Sequence, residues 1–190
     1  MSVDQKLNFL YGSISDIQST IRAVDVKAGF LFVVIFIPVG SLSDIVVVFK
    51  SMSMLSQSFL ALSLLVAALW VLSVYVLFKT VVAISNPADH VKGTVPHGSF
   101  YGADQYSLKS IDYLFNFPIK SNFSLSEEVA KLPGTENKLV EELVFEKMKI
   151  IYIRDIKIKR LSLCFRLVLS WLLLGGFSWL VCLLRFDVNA

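Results

Sequence analysis

The chain contains few of the residues from which metal sites and disulfide frameworks are built. Its 190 residues include only two cysteines and two histidines. Cys164 and Cys182 are 18 positions apart in one apolar segment. On a helix this separates them by about 27 Å, so we interpret them as packing residues rather than a disulfide. His90 and His97 lie in a loop that contains Gly and Pro, and we interpret them as loop histidines.

Sequence motifs of serine catalysis and of nucleotide hydrolysis are also missing. Ser99 has no Gly-x-Ser-x-Gly setting, and the loop GTVPHG lacks the Gly-Lys-[Ser/Thr] ending of a phosphate-binding loop. No pairing of a nucleophile with a base and no metal-ligand spacing is evident. We therefore predict a protein that is not an enzyme, needs no metal or cofactor, and has no nucleic-acid partner.

Charged residues are scarce, at 17% of the chain, while hydrophobic residues make up 55%. The mean hydropathy of +0.68 lies above the range of soluble domains. This composition indicates an integral membrane protein. The N-terminal segment MSVDQKLNFLYGSISDIQST has no apolar signal-peptide core, so we expect the first apolar segment to act as an uncleaved anchor.

The hydrophobic pattern predicts three transmembrane helices of about 20 residues each. The expected order is an amphipathic cytosolic arm at 1–23, a first span at 24–43 and a periplasmic loop at 44–57. A second span at 58–78, a cytosolic region at 79–160, a third span at 161–184 and a periplasmic tail at 185–190 follow. Pro38 should end or kink the first helix. The pattern leaves open whether 45–49 extends the first span.

The cytosolic region is the only part of the chain large enough to form a polar unit. Residues 85–160 carry 11 Lys/Arg and 10 Asp/Glu. Ser124 and Glu127 have the spacing of a capping box at the start of a short helix. No Gly or Pro occurs between Asn137 and Gly175, so we predict one continuous helix over about 137–184. The predicted fold class is therefore an all-helical membrane protein with a small, mostly helical cytosolic unit between its second and third spans.

The basic residues predict the orientation of the chain. They concentrate in the N-terminal arm and next to the second and third spans, whereas the 44–57 loop has only Lys50. Positive residues favour the cytosolic side of bacterial membranes. We therefore expect a multi-pass protein of the bacterial inner membrane with its N-terminus in the cytosol.

Three charged residues stand at the cytosolic mouth of the first span: Arg22, Asp25 and Lys27. Interfacial anchoring explains Lys27, and the helix terminus explains part of Asp25. An ionisable group at membrane depth also indicates a functional site. Both interpretations stay open from the sequence alone. The role of the basic residues of 147–160 is also left open, because they could bind lipid headgroups or a ligand phosphate.

Four segments resemble one known family in their order along the chain. They are AVDVKAGFLF in the first span, Phe100-Tyr101-Gly102 after the second, VFEKMKIIYIRDIKIKRL before the third and LLLGGFSWL within it. This set is similar to the Pycsar effectors, small transmembrane antiphage proteins, from about residue 10 to 184. The family lysine of the polar helix corresponds to either Lys157 or Lys159.

The resemblance implies a role in bacterial antiphage defence. A partner pyrimidine cyclase would make cyclic CMP or cyclic UMP, and this protein would bind the messenger and impair the inner membrane, which causes abortive infection. On this interpretation Arg22, Asp25 and Lys27 would hold the spans closed until the ligand binds. The expected nucleotide contacts, with the aromatic pair as a stacking surface, are Phe100, Tyr101, Gly102, Arg154, Lys157 and Lys159.

We expect a homo-oligomer in the lipid bilayer, because three spans are too few to enclose a water-filled path. Gly175, Gly176 and Ser178 form a small-residue patch where a neighbouring helix could approach. The main alternative is a non-catalytic membrane scaffold or accessory subunit that docks a cytosolic partner. An enzyme of the membrane interface is disfavoured by the missing catalytic residues.

Overall fold

The computed structural model describes residues 2–84, 87–93, 106 and 120–186. Within these residues the regular structure is entirely helical. The α-helices are α1 (Val3–Phe36), α2 (Leu42–Leu55), α3 (Gln57–Val81), α4 (Leu125–Ala130) and α5 (Glu136–Phe186). Two short 3-10 helices, Ile37–Ser41 and Pro87–His90, complete the set. The predicted all-helical class is confirmed for the described part of the chain.

The N-terminal arm and the first apolar segment form a single helix, α1. Leu10, Ile14 and Ile17 are buried on one face of the arm, which is the helical spacing that the sequence predicts. The helix ends at Phe36, and Pro38 lies in the following 3-10 helix. Because proline has no N–H for the helical hydrogen bond, the predicted break at Pro38 is confirmed.

The segment expected as a loop at 44–57 is helical over most of its length, since α2 covers Leu42–Leu55. Ser56 separates α2 from α3 in an extended conformation, and its Oγ accepts a hydrogen bond from the Phe59 amide at 3.4 Å. The side of a membrane on which α2 lies stays a prediction.

The two predictions for the second half of the chain are confirmed. Ser124 and Glu127 form a complete capping box on α4, with each residue bonded to the backbone of the other. Helix α5 is continuous for 51 residues, one residue longer at its start and two at its end than the expected 137–184.

The chain divides into two compact units. Met1–Ser19 and Ser85–Ile153 form the first, here the polar unit, and Thr20–Ile84 and Arg154–Ala190 form the second, the apolar unit. Helices α1 and α5 contribute residues to both units.

The core of the apolar unit is built from α1, α3 and α5. It consists of Ala28, Ile35, Val76, Leu77, Cys164, Val168 and Trp171. The Trp70 indole N–H donates a hydrogen bond of 2.8 Å to the Ile35 carbonyl and ties α3 to α1. The buried Cys164 thiol lies 3.6 Å from the Ser73 carbonyl, which agrees with its interpretation as a packing residue.

Three helical stretches are long and apolar enough to cross a membrane: Val3–Lys50, Gln57–Val81 and Glu136–Leu184. The outer surface of the apolar unit carries many exposed large apolar side chains, among them Phe30, Val33, Leu173 and Leu184. A surface of this kind is unusual for a soluble monomer and suits contact with lipid.

Candidate functional site

An ion pair joins α1 and α5 inside the apolar unit. Lys157 Nζ lies 2.5 Å from Asp25 Oδ1, although the two residues are 132 positions apart. Lys157 is 8% exposed, whereas the Asp25 side chain is 46% exposed. The pair therefore has one nearly buried cation and one anion that still contacts solvent.

The position of Lys157 on α5 explains its burial. Buried residues recur along this helix at Ile150, Lys157, Cys164 and Trp171, each seven positions after the last. Lys157 is thus the charged member of an otherwise apolar stripe. A buried ammonium is strongly destabilising unless a counter-ion and hydrogen bonds compensate it, and Asp25 supplies both.

A second polar contact joins α5 to the end of α3. The Arg160 Nη1 donates a hydrogen bond of 2.6 Å to the carbonyl of Lys79, in the last turn of α3. The last carbonyls of a helix have no partner within it, and a cation there also complements the helix dipole. Lys157 and Arg160 are one turn apart, so a single turn of α5 contacts both neighbouring helices.

The other charged residues predicted for this region have separate surroundings. Arg22 and Lys27 are exposed, as is Lys159. The Arg154 guanidinium pairs with its neighbour Asp155 at 2.8 Å. Of the charged residues expected to contact a nucleotide, Lys157 is held by Asp25, Arg154 by Asp155, and Lys159 faces outward. The expected aromatic contacts, Phe100 and Tyr101, and also Gly102, lie outside the described residues.

The small-residue patch of α5 has one face within the chain and one open face. A Cβ added to Gly175 would lie 3.6 Å from Val66 Cγ1, so Gly175 packs against α3 of the same chain. Gly176 has open space where a Cβ would stand. Ser178 is buried, and its Oγ donates to the Leu174 carbonyl at 2.8 Å. Gly176 is therefore the member of the patch that remains available to another helix.

The polar unit contains a buried charged cluster that the sequence analysis missed. Glu142, Glu146 and Lys149 lie on one face of α5 and are all buried. Glu146 forms an ion pair with Lys149. Burial raises the pKa of Glu146 above its ordinary range, and the nearby Lys149 counteracts part of that shift. Glu142, Glu146 and Lys149 are four and three positions apart. This helical spacing is visible in the sequence and could have identified the cluster.

A shallow cavity of about 450 Å³ that is open to solvent lies on the same unit, next to an aromatic stack. The His90 ring stacks on Tyr152 with 4.3 Å between ring centroids and 19° between planes. The cavity is lined by one cation, one anion and apolar side chains: Val91, Lys92, Val140, Glu141, Val144, Phe145 and Met148. Its volume falls within the range of small-molecule sites.

Within the described ranges, no three His, Cys, Asp or Glu side chains lie together in a way that could hold a metal ion. No family model, no curated protein and no solved structure matches this chain.

Proposed function

We propose that this protein is a membrane effector of a bacterial antiphage defence system. It binds a cyclic pyrimidine mononucleotide, cyclic CMP or cyclic UMP, which a partner cyclase makes. It then impairs the inner membrane and causes abortive infection. The resemblance of AVDVKAGFLF, Phe100-Tyr101-Gly102 and LLLGGFSWL to Pycsar effectors supplies the identity of the messenger.

Membrane placement is supported by helix length and by the exposed apolar surface of the apolar unit. The distribution of aromatic and basic residues agrees with it. Tyr75 is exposed one turn before Lys79, near the end of α3, and Trp179 is exposed near the opposite end of the apolar part of α5. Tyr and Trp at these depths are typical of the two membrane interfaces. The polar unit would then lie in the cytosol.

The single observation that carries the gating proposal is the Asp25–Lys157 ion pair. Helices α1 and α5 each supply residues to the polar unit and to the apolar unit, and this pair fastens them to each other in the apolar unit. A messenger that favours a different position of either helix changes the geometry of the pair. We therefore propose that the pair belongs to a two-state element, in which messenger binding shifts the equilibrium between two helix positions.

We propose that the messenger binds at the open cavity of the polar unit. The cavity beside the His90–Tyr152 stack has the volume of a small-molecule site, and Lys92 in its wall can contact a phosphate. A cyclic mononucleotide carries one negative charge, so a single lysine is a sufficient counter-ion. Phe100 and Tyr101, which follow Lys92 in the chain, are proposed as stacking surfaces for the base.

Calorimetry on the full-length protein in detergent tests the messenger. Cyclic CMP or cyclic UMP should release or absorb heat on binding, whereas cyclic AMP should not. Because a base stacked on an aromatic ring contributes about 1–3 kcal/mol, Tyr101→Ala should weaken binding about tenfold or more. Tyr11→Ala, which removes an exposed tyrosine from α1, is the matched control and should bind normally. Binding of neither pyrimidine nucleotide would refute the proposed ligand.

A specific surface favours the alternative, a scaffold or accessory subunit that docks a cytosolic partner. Leu125, Val129 and Leu132 on and after α4 are 83%, 58% and 60% exposed. Leu125 and Val129 are four positions apart on α4 and share a face of it, and Leu132 follows two residues after the helix ends. If replacing all three with Ser abolishes the growth phenotype while nucleotide binding is absent from the wild type, the scaffold function is the correct one.

A further inference from the structure

Three segments of the apolar unit together carry a large surplus of positive charge. The segments 22–27, 79 and 154–166 together contain eight Lys/Arg and two Asp. Both acids are already engaged, since Asp25 pairs with Lys157 and Asp155 pairs with Arg154. The remaining six cations form no ion pair with any residue that the structure describes. We call them the basic rim: Arg22, Lys27, Lys79, Lys159, Arg160 and Arg166.

The contacts of α5 bring these cations to a common level on three helices. Lys157 holds α1 next to α5 through its ion pair with Asp25. Asp25 is close in sequence to Arg22 and Lys27. Arg160 holds the end of α3 and thereby places its own guanidinium beside Lys79. Lys159 stands between Lys157 and Arg160 in the sequence and is exposed. Arg166 follows Arg160 by six residues, about 9 Å along the helix axis, and its long side chain can reach back toward the rim.

The basic rim borders directly on exposed apolar side chains. Phe30 follows Lys27 by three positions, Phe78 precedes Lys79, and Phe165 precedes Arg166, and all three rings are exposed. A free phosphate compound or an acidic protein segment would match the cations but not the adjoining apolar surface. An amphiphile with an anionic phosphate next to hydrocarbon chains matches both.

We propose that the basic rim binds the headgroups of anionic phospholipids, with the acyl chains lying against the neighbouring phenylalanines. The site uses the charge of the headgroup rather than its shape, because the cations are spread over three helices. Each Lys or Arg near an anionic membrane surface strengthens binding about fivefold. This inference rests on the membrane placement proposed above and not on the nucleotide messenger.

Lipid retention by the full-length protein tests the basic rim without any nucleotide present. The protein is held in neutral detergent micelles that contain phosphatidylglycerol or phosphatidylcholine, and native mass spectrometry counts the lipids that stay bound. The wild type should retain phosphatidylglycerol in preference to phosphatidylcholine. A triple variant, Lys27→Gln, Lys79→Gln and Lys159→Gln, should lose phosphatidylglycerol affinity tenfold or more, while the Arg160 contact with Lys79 remains.

The matched control is Lys6→Gln, Lys120→Gln and Lys138→Gln, which removes the same charge from three exposed lysines of the polar unit. It should retain the lipid as the wild type does. Equal retention of both lipids by the wild type, or equal losses in the two triple variants, would overturn the proposal. Displacement of phosphatidylglycerol by inorganic phosphate beyond that caused by chloride at the same ionic strength would also overturn it, because the rim would then be a site for free phosphate.

Ionic strength gives a second measurement that needs no variant. Added salt screens exposed charges, so phosphatidylglycerol retention by the wild type should fall as salt rises while phosphatidylcholine retention does not change. Salt-independent retention of phosphatidylglycerol would mean that the acyl chains alone hold the lipid, and the basic rim would have no role.

Discussion

Lys157 is the residue whose environment demands the most explanation. Its ammonium group lies on the buried stripe of α5 and has Asp25 as its partner at 2.5 Å. The energetics of the pair are asymmetric, because Asp25 is half exposed and Lys157 is nearly buried. Loss of the anion leaves a buried charge without compensation, while loss of the cation leaves a carboxylate that water can solvate.

This asymmetry predicts unequal effects of the two neutral substitutions on thermal unfolding in detergent. Asp25→Asn should lower the free energy of unfolding by about 3 kcal/mol, because it strands the Lys157 ammonium. Lys157→Met should cost less than about 1 kcal/mol, because it leaves a solvated carboxylate and continues an apolar stripe. Asp44→Asn, an exposed acid in the first turn of α2, is the control and should change stability by a few tenths of a kcal/mol. Equal costs for Asp25→Asn and Lys157→Met would show that Lys157 is not more buried than Asp25.

The sequence indicated Asp25 and Lys157 individually but not their pairing. Asp25 was conspicuous as an acid at the start of an apolar segment, and Lys157 belonged to a basic cluster expected to contact a nucleotide or lipid. Long-range pairing cannot be read from local pattern, since it depends on how helices pack. The seven-residue spacing of Ile150, Lys157 and Cys164 is nevertheless visible in the sequence and marks Lys157 as a buried lysine.

Helix α5 supplies residues to both units, and one stripe of buried residues runs along it. In the apolar unit this stripe passes through Cys164, Trp171, Ser178 and Cys182. Gly175 lies on it and faces Val66, whereas Gly176 lies beside it and faces open space. The two adjacent glycines therefore have different expected roles, one within the chain and one toward a neighbouring subunit.

Leucine substitutions at the two glycines should separate folding from assembly. Gly175→Leu should destabilise the protein by about 1–3 kcal/mol, because the larger side chain overpacks against Val66. Gly176→Leu should leave the melting temperature nearly unchanged but reduce oligomer formation, because it fills the surface where a second helix approaches closely. Melting curves and cross-linking in detergent measure the two effects. An oligomer that persists in Gly176→Leu would exclude this face as the subunit contact.

Helix α4 is a short element whose stability depends on one capping box. The Ser124 backbone N–H donates to Glu127 Oε2 at 2.7 Å, and the Ser124 hydroxyl accepts from the Glu127 amide at 3.3 Å. Two hydrogen bonds from Ser124 lower the pKa of Glu127 below its ordinary 4.5. The bond from the backbone N–H has the larger effect, and the bond from the side chain has the smaller one. The folded pKa is depressed, so this stabilisation is complete above pH 4.5 and is lost as pH falls through the folded-state pKa.

Amide hydrogen exchange at Glu127 and Glu128 should report the capping box. At neutral pH, Ser124→Ala should accelerate exchange at these amides about fivefold, the usual effect of losing an N-cap serine. Correction for intrinsic exchange rates should show protection in the wild type declining only below pH 4.5. If protection already falls between pH 7 and 5, a group other than Glu127 is responsible for it. Ser121→Ala, just outside the helix, should change nothing at Glu127.

For the molecule as a whole, composition and periodicity predicted most of the helical architecture. The continuous helix before and through the third apolar segment followed from the absence of Gly and Pro between Asn137 and Gly175. The helical state of Leu42–Leu55 was not predicted, because short apolar runs fit either a loop at an interface or a helix. The packing of α1, α3 and α5 around Ala28 and Cys164 depends on contacts distant in sequence, which periodicity cannot supply.

Reporter fusions test the expected topology. With three spans and a cytosolic N-terminus, alkaline phosphatase fused after Ala190 should be active, because the C-terminus would lie in the periplasm. A fusion after Ala130, in the polar unit, should be inactive, and green fluorescent protein at the same position should fluoresce. An active phosphatase at Ala130 would place the polar unit outside the cytosol and contradict the proposed site of messenger binding.

We propose that a cyclic pyrimidine nucleotide makes this protein breach the inner membrane. Entry of a membrane-impermeant DNA dye into cells that carry both this chain and a pyrimidine cyclase tests it most directly. Dye entry and growth arrest should begin together when the cyclase is active, and neither should occur with the cyclase or the chain alone. Asp25→Asn should alter the messenger level at which dye enters, and the apparent nucleotide affinity should shift in the same direction. Growth arrest in cells that still exclude the dye would contradict the claim.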